Sequence, residues 1–285
     1  MAVKSKRRIL CIAGPTASGK SSRAVVEALA QQGEIISVDS RQVYRGLDVG
    51  TEKITAEEMQ DVPHHLIDIR NVDETYSAGD FVSDATRLID EISARGKLPI
   101  LVGGTHFYFD ALLYGLPSEV DANPALRSEL EKLSTEALYA QIQAKDPRRA
   151  SELDPQNRRR LVRALEIVAE TGFVIERTKE DSLYAVDWII IDPPREELRP
   201  RINARLESAL ERGLVAEVAR VREQVGDERL NELGLEYKIV GEYLRRERTQ
   251  ASLLPSLSAK LWHYARRQKA WLRKLHDEQP TSAVS

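Results

Sequence analysis

The chain has 285 residues, of which 42% are apolar and 31% are charged, which is enough for a packed globular core in one large or two modest domains. Its 42 basic and 45 acidic residues give a formal net charge of −3, so only a local basic patch could hold a nucleic acid. The single cysteine, Cys11, excludes a disulfide framework and a cysteine-based zinc site. Because it also favours a reducing compartment, we expect a cytoplasmic protein.

The basic N-terminus runs directly into an apolar stretch at residues 9–13, so we expect neither a signal peptide nor a transit peptide. No apolar run approaches the length that crosses a bilayer. We therefore expect no membrane association.

A phosphate-binding loop follows this apolar stretch. Residues 14–21, GPTASGKS, match the pattern G-x-x-x-x-G-K-[ST]. Residues 9–13 predict a strand before the loop and residues 22–30 predict a helix after it, which is the setting that the motif requires. Backbone N–H groups at the helix N-terminus would converge on phosphate oxygens, Lys20 adds a charge, and Ser21 offers a hydroxyl to Mg²⁺. The sequence predicts a polyphosphate site with a magnesium ion.

The next predicted strand, residues 34–39, ends in Asp39. Ligands of parallel sheets bind at the carboxyl ends of the strands, so Asp39 is expected to face the same crevice as the phosphate loop. A turn or helix-capping role for Asp39 remains open on spacing alone.

Residues 45–75 predict loops with one short strand at 63–69. The pair His64 and His65 favours a structural or ligand-edge role over a metal site, because adjacent strand residues point to opposite faces. Residues 77–94 have helical spacing through apolar positions. Residues 98–105 predict a buried strand that ends in Gly103, Gly104 and Thr105, where many nucleotide-hydrolysing P-loop proteins have a magnesium-binding acid. Its absence argues against a motor or switch ATPase.

Residues 116–187 predict a helical insertion with helices at 125–133, 135–143 and 156–171. In the last of these, Leu161, Leu165 and Val168 form an inward stripe. Four arginines among six residues, 158–163, form a patch that fits either a solvated helix face or phosphate contacts.

Strand texture returns at residues 186–192, and helices are predicted at 195–212 and 259–275, followed by a polar tail that we expect to be disordered. Gln268 falls within the apolar stripe of the last helix, and a buried amide needs hydrogen-bond partners. The last helix carries six basic residues between Lys260 and Lys274, interleaved with three aromatic residues. This pattern is typical of nucleic-acid binding, but it fits equally well a basic helix C-terminus that is favoured by the helix dipole.

Five segments together resemble one family, the tRNA dimethylallyltransferases or tRNA isopentenyltransferases. They are GPTASGKS (14–21), SVDSRQVYRG (37–46), LVGGT (101–105), RRLVRALE (159–166) and RRQKAWLR (266–273). With the pattern of elements, the expected fold class is α/β, with a P-loop NTPase-like parallel-sheet core and a helical insertion domain. Residues 1–115 would form the first part of the core, 116–187 the tRNA-binding insertion, 188–276 the completion of the core and 277–285 the tail.

The resemblance implies transfer of a dimethylallyl group from dimethylallyl diphosphate to N6 of the adenine 3′-adjacent to the tRNA anticodon. The phosphate loop would then hold the diphosphate leaving group through Gly14, Pro15, Thr16, Ala17, Ser18, Gly19, Lys20 and Ser21, with Mg²⁺ on Ser21. The implied catalytic residues are Asp39, which would accept the proton of the amine, Thr16 on the leaving oxygen, and Lys20. The implied contacts with the anticodon stem-loop are Asp39, Ser40, Arg41, Gln42, Thr105, Arg127, Arg159, Arg160, Leu161, Val162 and Arg163.

The chain departs from the family pattern at three positions: Ile54 replaces a usual proline, His106 a common glycine and Glu236 a frequent glycine. The alternative function is a P-loop kinase of nucleosides or metabolites, and a non-enzymatic tRNA or nucleotide binding module is a third hypothesis. Nothing in the sequence demands a dimer, so we expect a monomer.

Overall fold

The structure is a computed structural model that describes residues 6–116, 118, 120, 123–174 and 182–277. These residues fall into two compact units, one within residues 1–113 and 182–285 and the other within 114–181. The sequence predicts an insertion from residue 116 to residue 187. A β-strand of the first unit begins at Ala185, so the second part of the core begins before the predicted residue 188. Of the predicted tail, residues 278–285 lie outside the described residues.

The first unit contains a parallel sheet of five strands: β1 (Arg8–Ala13), β2 (Gly33–Val38), β3 (His64–His65), β4 (Leu98–Gly103) and β5 (Ala185–Ile190). Their order in the sheet is β3-β2-β4-β1-β5. Ala13 pairs with Gly103 and with Ile190, and Gly103 pairs with Val38, so four strands end at the same edge. Consecutive residues of the three central strands, β2, β4 and β1, are almost fully buried, which requires cover on both faces and explains their continuous apolar runs.

The strand predicted at residues 63–69 is reduced to His64 and His65. Leu66 and Asp68 have φ values of 62° and 55°, in the left-handed region, which ends the extended backbone. His64 Nδ1 lies 2.8 Å from the Val62 carbonyl oxygen, and His65 Nε2 lies 2.8 Å from Glu34 Oε2.

Four helices accompany the first four strands: α1 (Lys20–Gln31), α2 (Ala56–Met59), α3 (Ala78–Ala94) and α4 (His106–Tyr114). The helices α1 and α3 lie where the sequence predicts them. A reciprocal capping box between Ser77 and Asp80 starts α3, and its apolar stripe packs into the core. The helix α4 was not predicted.

The second unit is helical, as predicted, and contains α5 (Pro124–Glu131), α6 (Thr135–Lys145), α7 (Pro147–Glu152) and α8 (Arg158–Thr171). Leu138, Ile142 and Leu161 are fully buried in its core. The short helix α7 was not predicted, although Asp146 caps it and Pro147 occupies its first turn.

The chain returns to the first unit with β5 and ends in four helices, α9 (Arg195–Glu211), α10 (Leu214–Glu232), α11 (Leu235–Leu244) and α12 (Leu253–Asp277). The helix α12 begins at Leu253, before the predicted residue 259, and follows a 3₁₀ turn at Gln250–Ser252. Within the described ranges, no helix is both long and apolar enough to cross a membrane.

Candidate active site

A cavity of about 420 Å³ opens at the carboxyl edge of the sheet. The phosphate loop, the segment after β2 and the end of β4 form one side, and residues of α9, α11 and α12 close it. The predicted site residues that line this cavity are Thr16, Ala17, Ser18, Gly19, Lys20, Ser21, Asp39, Ser40, Arg41 and Gln42. The fold therefore brings the phosphate loop and Asp39 together, as expected from the strand order.

The phosphate loop turns sharply between β1 and α1, with Ala17 and Gly19 at φ values of 60° and 85°. A Cβ at Gly14 would lie 2.5 Å from Ser18 Oγ, so only glycine lets the loop fold back here. Gly14 and Pro15 therefore shape the loop, whereas the lining residues run from Thr16 to Ser22. Burial lowers the pKa of Lys20 to about 8, while Asp39 acts in the opposite direction.

Thr16 is held at two atoms by residues that are distant in sequence. Its backbone N–H donates to Gln268 Oε1 at 3.0 Å, and its hydroxyl accepts a short hydrogen bond from the guanidinium of Arg205. Arg205 therefore brings a second cation to the phosphate loop, beside Lys20. This arrangement fixes the hydroxyl of Thr16 at the wall of the cavity.

Asp39 combines both interpretations that the sequence left open. Its Oδ1 accepts the backbone N–H groups of Arg41 at 2.8 Å and Gln42 at 3.3 Å, which is a turn role. Asp39 nevertheless lines the cavity. The turn thus fixes the orientation of a carboxylate that faces the phosphate loop, and an oriented carboxylate can accept a proton.

Two further predicted residues support this turn. Thr105 Oγ1 accepts the N–H of Ser40 at 3.3 Å, which joins the end of β4 to the segment after β2. The side chain of Gln42 donates to the carbonyl oxygens of Thr51 and Glu52, both at 3.3 Å.

The loop at residues 48–52 is fixed by a buried carboxylate on α10. Glu217 is 3% exposed and accepts the N–H groups of Asp48, Val49 and Gly50 at 2.8 to 2.9 Å. The hydroxyl of Tyr237 donates to the same carboxylate at 2.7 Å. Tyr237 thus supports the wall of the cavity through Glu217.

The charged residues Arg205 and Glu236 also line the cavity, and sequence reasoning did not include them among the site residues. Arg205 lies among many charged residues of α9, so no local pattern distinguishes it. Glu236 was noted only as a departure from the family pattern. Burial raises the pKa of its carboxyl, and Arg205 acts against that shift.

A second cavity, of about 850 Å³, runs along the outer side of α12. Its lining is strongly basic and includes one tryptophan: Arg195, Trp262, His263, Arg266, Arg267, Lys269, Ala270 and Arg273. We call it the α12 groove. Trp271, which the sequence grouped with these aromatic residues, instead packs against Phe109 and Trp188 with ring centroids 6.0 and 6.4 Å apart.

The arginines of the insertion are partly engaged within that unit. Arg127 donates to Glu166 at 2.7 Å, and Arg163 donates to the carbonyl oxygen of Val120 at 2.5 Å. Arg158 donates to carbonyl oxygens at the end of α5.

Leu161 and Val162 are 0% and 5% exposed and belong to the core of the insertion, whereas Arg159 and Arg160 are exposed. The predicted tRNA contacts of this segment remain a prediction, and the exposed arginines are the side chains best suited to them.

The residues present would fit a magnesium ion beside a bound polyphosphate. Ser21 lies at the start of α1 and lines the cavity, so its hydroxyl is available on the same wall as the phosphate loop. Magnesium prefers oxygen ligands, retains several waters and commonly takes the rest of its ligands from phosphate oxygens.

The fold and the cavity define a P-loop protein that can hold a polyphosphate beside an oriented carboxylate, the arrangement of a group-transfer enzyme. A sequence model described as IPP transferase matches residues 42–275. The chain therefore belongs to the IPP transferase family of tRNA dimethylallyltransferases, which supports the transferase over the kinase alternative.

Individual relatives match along almost the whole chain. A tRNA dimethylallyltransferase of Thermomicrobium roseum is 39% identical over 96% of this chain and 85% of its own length. A tRNA dimethylallyltransferase 1 of Trichlorobacter lovleyi is 41% identical over 94% and 91%.

Solved structures agree with these sequence matches. The crystal structure of the full-length tRNA isopentenylpyrophosphate transferase of Bacillus halodurans superposes with a TM-score of 0.71 at 39% identity, covering 94% of this chain and 87% of its own. A eukaryotic dimethylallyltransferase acting on tRNA gives a TM-score of 0.79 at 27% identity, with 93% and 70% coverage.

Proposed function

We propose that this protein transfers a dimethylallyl group from dimethylallyl diphosphate to N6 of the adenine 3′-adjacent to the anticodon in tRNA, releasing diphosphate. The observation that carries this proposal is that Thr16, Lys20 and Asp39 line one cavity. Leaving-group stabilisation and proton acceptance are thereby available at one place. Family membership supports the identity of both substrates.

The diphosphate lies in the phosphate loop, where backbone N–H groups at the start of α1 and the cation of Lys20 face its oxygens. As the carbon–oxygen bond of dimethylallyl diphosphate breaks, its electron pair stays on the diphosphate. The growing negative charge is stabilised by Lys20, by Arg205 and by the hydroxyl of Thr16. A magnesium ion held by Ser21 would neutralise further charge on the diphosphate.

The adenine amine attacks from the side of the cavity that carries Asp39. A bond forms between N6 and the prenyl carbon, and the N6 proton passes to the Asp39 carboxylate. The Asp39 turn holds that carboxylate in a fixed orientation before the substrate arrives. Ser40, Arg41, Gln42 and Thr105 line or support this side and would contact the target nucleotide.

The anticodon stem-loop is proposed to contact both units of the protein. Its target base must leave the stack to reach a cavity, and arginine and aromatic contacts stabilise bases that have been splayed out. The insertion would contribute Arg127, Arg159, Arg160 and Arg163, whereas Leu161 and Val162 are buried in its core and would only support these side chains. The α12 groove offers phosphate-binding cations beside Trp262.

A transfer assay tests this function. Purified protein is incubated with Mg²⁺, labelled dimethylallyl diphosphate and an unmodified tRNA, and we expect label on the tRNA and release of diphosphate. The matched control is the same tRNA with guanine at the target position, which lacks the N6 amine and should remain unlabelled. Absence of label, together with phosphoryl transfer from ATP to a small molecule, would overturn the proposal in favour of a kinase.

We also propose that the protein acts as a monomer in the cytoplasm. Size-exclusion chromatography of the active protein tests this, and activity confined to a dimer peak would contradict it.

A further inference from the structure

Gln268 is a polar side chain in an otherwise apolar stripe of α12. It is 4% exposed, and its neighbours on the stripe, Leu261, Ala265 and Leu272, are at most 3% exposed. Burying an amide without partners costs free energy, so such a residue is expected to hold specific hydrogen bonds.

Both ends of the Gln268 amide are engaged. Its Oε1 accepts the N–H of Thr16 at 3.0 Å, and its Nε2 donates to the carbonyl oxygen of Gly104 at 2.9 Å. The partners also fix the orientation of the amide, because an N–H requires an oxygen and a carbonyl requires an NH₂ group. A Cβ at Gly104 would lie 2.3 Å from Nε2, so the backbone there is fitted to this side chain.

The two partners belong to the two segments that the proposed reaction uses. Thr16 is proposed to meet the leaving oxygen, whereas Gly104 precedes Thr105, whose hydroxyl accepts the N–H of Ser40 next to Asp39. The Gln268 amide therefore links the segment that stabilises the leaving group to the segment that carries the proton acceptor.

This contact also divides the donors of the phosphate loop. Pro15 has no N–H, and the N–H of Thr16 is directed to Gln268. The N–H of Ser18 donates to the carbonyl oxygen of Pro15 at 3.3 Å. The N–H groups left for the diphosphate therefore lie mainly at the start of α1, while the side chain of Thr16 remains for the leaving oxygen.

We propose that Gln268 is a positioning residue for prenyl transfer, which sets the distance between the Thr16 hydroxyl and the Asp39 carboxylate. The inference rests on the proposed function. A small displacement of reacting groups lowers the rate of a transfer step more than it weakens binding, because the correct geometry is required only at the transition state.

The first test is Gln268→Met, which keeps the length of the side chain and removes both hydrogen bonds. We expect kcat to fall between about 10-fold and about 100-fold, while the KM for dimethylallyl diphosphate and the Kd for inorganic diphosphate change by less than about 3-fold. Leu272→Met is the matched control, since it changes a buried residue one turn further along α12 and should leave kcat unchanged. Melting curves confirm that both variants are folded at the assay temperature.

The second test is Gln268→Glu, which conserves shape. A protonated glutamate can accept from Thr16 and donate to Gly104, whereas the carboxylate can only accept. The ratio of kcat for this variant to kcat for the wild type should therefore rise as the pH is lowered from about 8 to about 6, since burial keeps the pKa of such a carboxyl high. This test stands even if Gln268→Met does not fold.

The outcomes separate this inference from the proposed function. If the wild type transfers no prenyl group to tRNA, the proposed function fails. If the wild type is active and Gln268→Met keeps kcat within about 3-fold, or loses diphosphate binding and kcat equally, the positioning role is overturned. A pH-independent ratio for Gln268→Glu also overturns it.

Discussion

The guanidinium of Arg205 on α9 donates a hydrogen bond to the hydroxyl of Thr16 in the phosphate loop, although 189 positions separate the two residues. This contact brings a cation to the atom that is proposed to meet the leaving oxygen. Arginine keeps its charge under all relevant conditions and can donate to two acceptors at once. Arg205 can therefore hold Thr16 and bind the diphosphate simultaneously.

Replacing Arg205 should slow the transfer step. We expect Arg205→Lys to lower kcat by about 10-fold, because lysine keeps the charge and loses the planar pair of donors. Arg205→Gln should lower it by about 10²–10³, the usual effect of removing a group that stabilises transition-state charge. Arg201→Lys, one turn earlier and paired with Glu197 at the surface, is the control that should leave kcat unchanged. Equal losses in both positions would contradict the role of Arg205.

Asp39→Asn tests the proton acceptor. The amide oxygen can still accept the N–H of Arg41, so the turn should persist. We expect kcat to fall by about 10²–10⁴ with little change in diphosphate affinity, because only proton acceptance is lost. Steady-state kinetics and calorimetry measure the two effects. A variant with wild-type turnover would show that Asp39 is not the proton acceptor.

Lys20→Ala should weaken the binding of diphosphate. The Lys20 ammonium lies in the phosphate loop and provides a point charge for the diphosphate. We expect a weaker Kd for inorganic diphosphate, by about 10-fold or more, measured by calorimetry. Arg23→Ala, on the exposed side of α1 and paired with Glu27, is the control for a general loss of positive charge. Unchanged affinity in Lys20→Ala would remove Lys20 from the site.

Local sequence patterns were sufficient to predict where the phosphate loop, Asp39 and α3 lie, because each position depends on residues that are close in sequence. The capping box of Ser77 and Asp80, for example, is visible in the sequence itself. Arg205 could not be predicted, since its role depends on where α9 packs against the loop. Gln268 gave a signal as a polar residue in an apolar stripe, but its partners lie 252 and 164 positions away.

Two sequence patterns gave an incomplete picture of the structure. Residues 63–69 have the apolar content of a strand, yet left-handed backbone at Leu66 and Asp68 ends it after His65. The arginines of α8 form a patch in the sequence, but Arg158 and Arg163 bind carbonyl oxygens of the insertion. Charge density alone does not show which cations are already engaged.

Glu34 should make stability depend on acid pH. Burial alone would raise the pKa of the Glu34 carboxyl, since the residue is only 3% exposed. Hydrogen bonds from His65, Lys97 and Arg95 instead lower this pKa from 4.5 to about 2. A lowered folded-state pKa contributes stability that is present above about pH 4.5 and is lost as the pH falls through about 2.

Glu34→Gln removes this contribution at neutral pH. We expect a loss on the order of 3 kcal/mol in the free energy of unfolding, because Arg95 and Lys97 lose a buried anionic partner. We also expect a flatter acid profile in denaturant titrations. Glu91→Gln, which breaks a surface pair with Arg87, should cost less than about 1 kcal/mol. Equal effects of the two substitutions would show that the Glu34 cluster is not a buried ion pair.

Glu236 adds a carboxyl to the cavity where a diphosphate is proposed to bind. Its Oε2 and Arg41 Nε each lie 3.9 Å from the position of a Cβ on Gly234, so the two groups flank the same backbone. Burial raises the pKa of Glu236, with Arg205 opposing the shift. The ionised carboxyl would repel the diphosphate and partly neutralise Arg205, whereas the protonated carboxyl would do neither.

We therefore expect Glu236→Gln to bind inorganic diphosphate more tightly than the wild type, by about 10-fold or less. The affinity of the wild type for diphosphate should fall as the pH rises through the pKa of Glu236, because the carboxyl is then ionised. The affinity of Glu236→Gln should not show this fall, because the amide does not ionise. Calorimetry of both proteins across the pH range measures the difference. Weaker binding by the variant, or parallel pH profiles, would show that Glu236 does not oppose the diphosphate, and would point to the adenine side of the cavity as the place where this carboxyl acts.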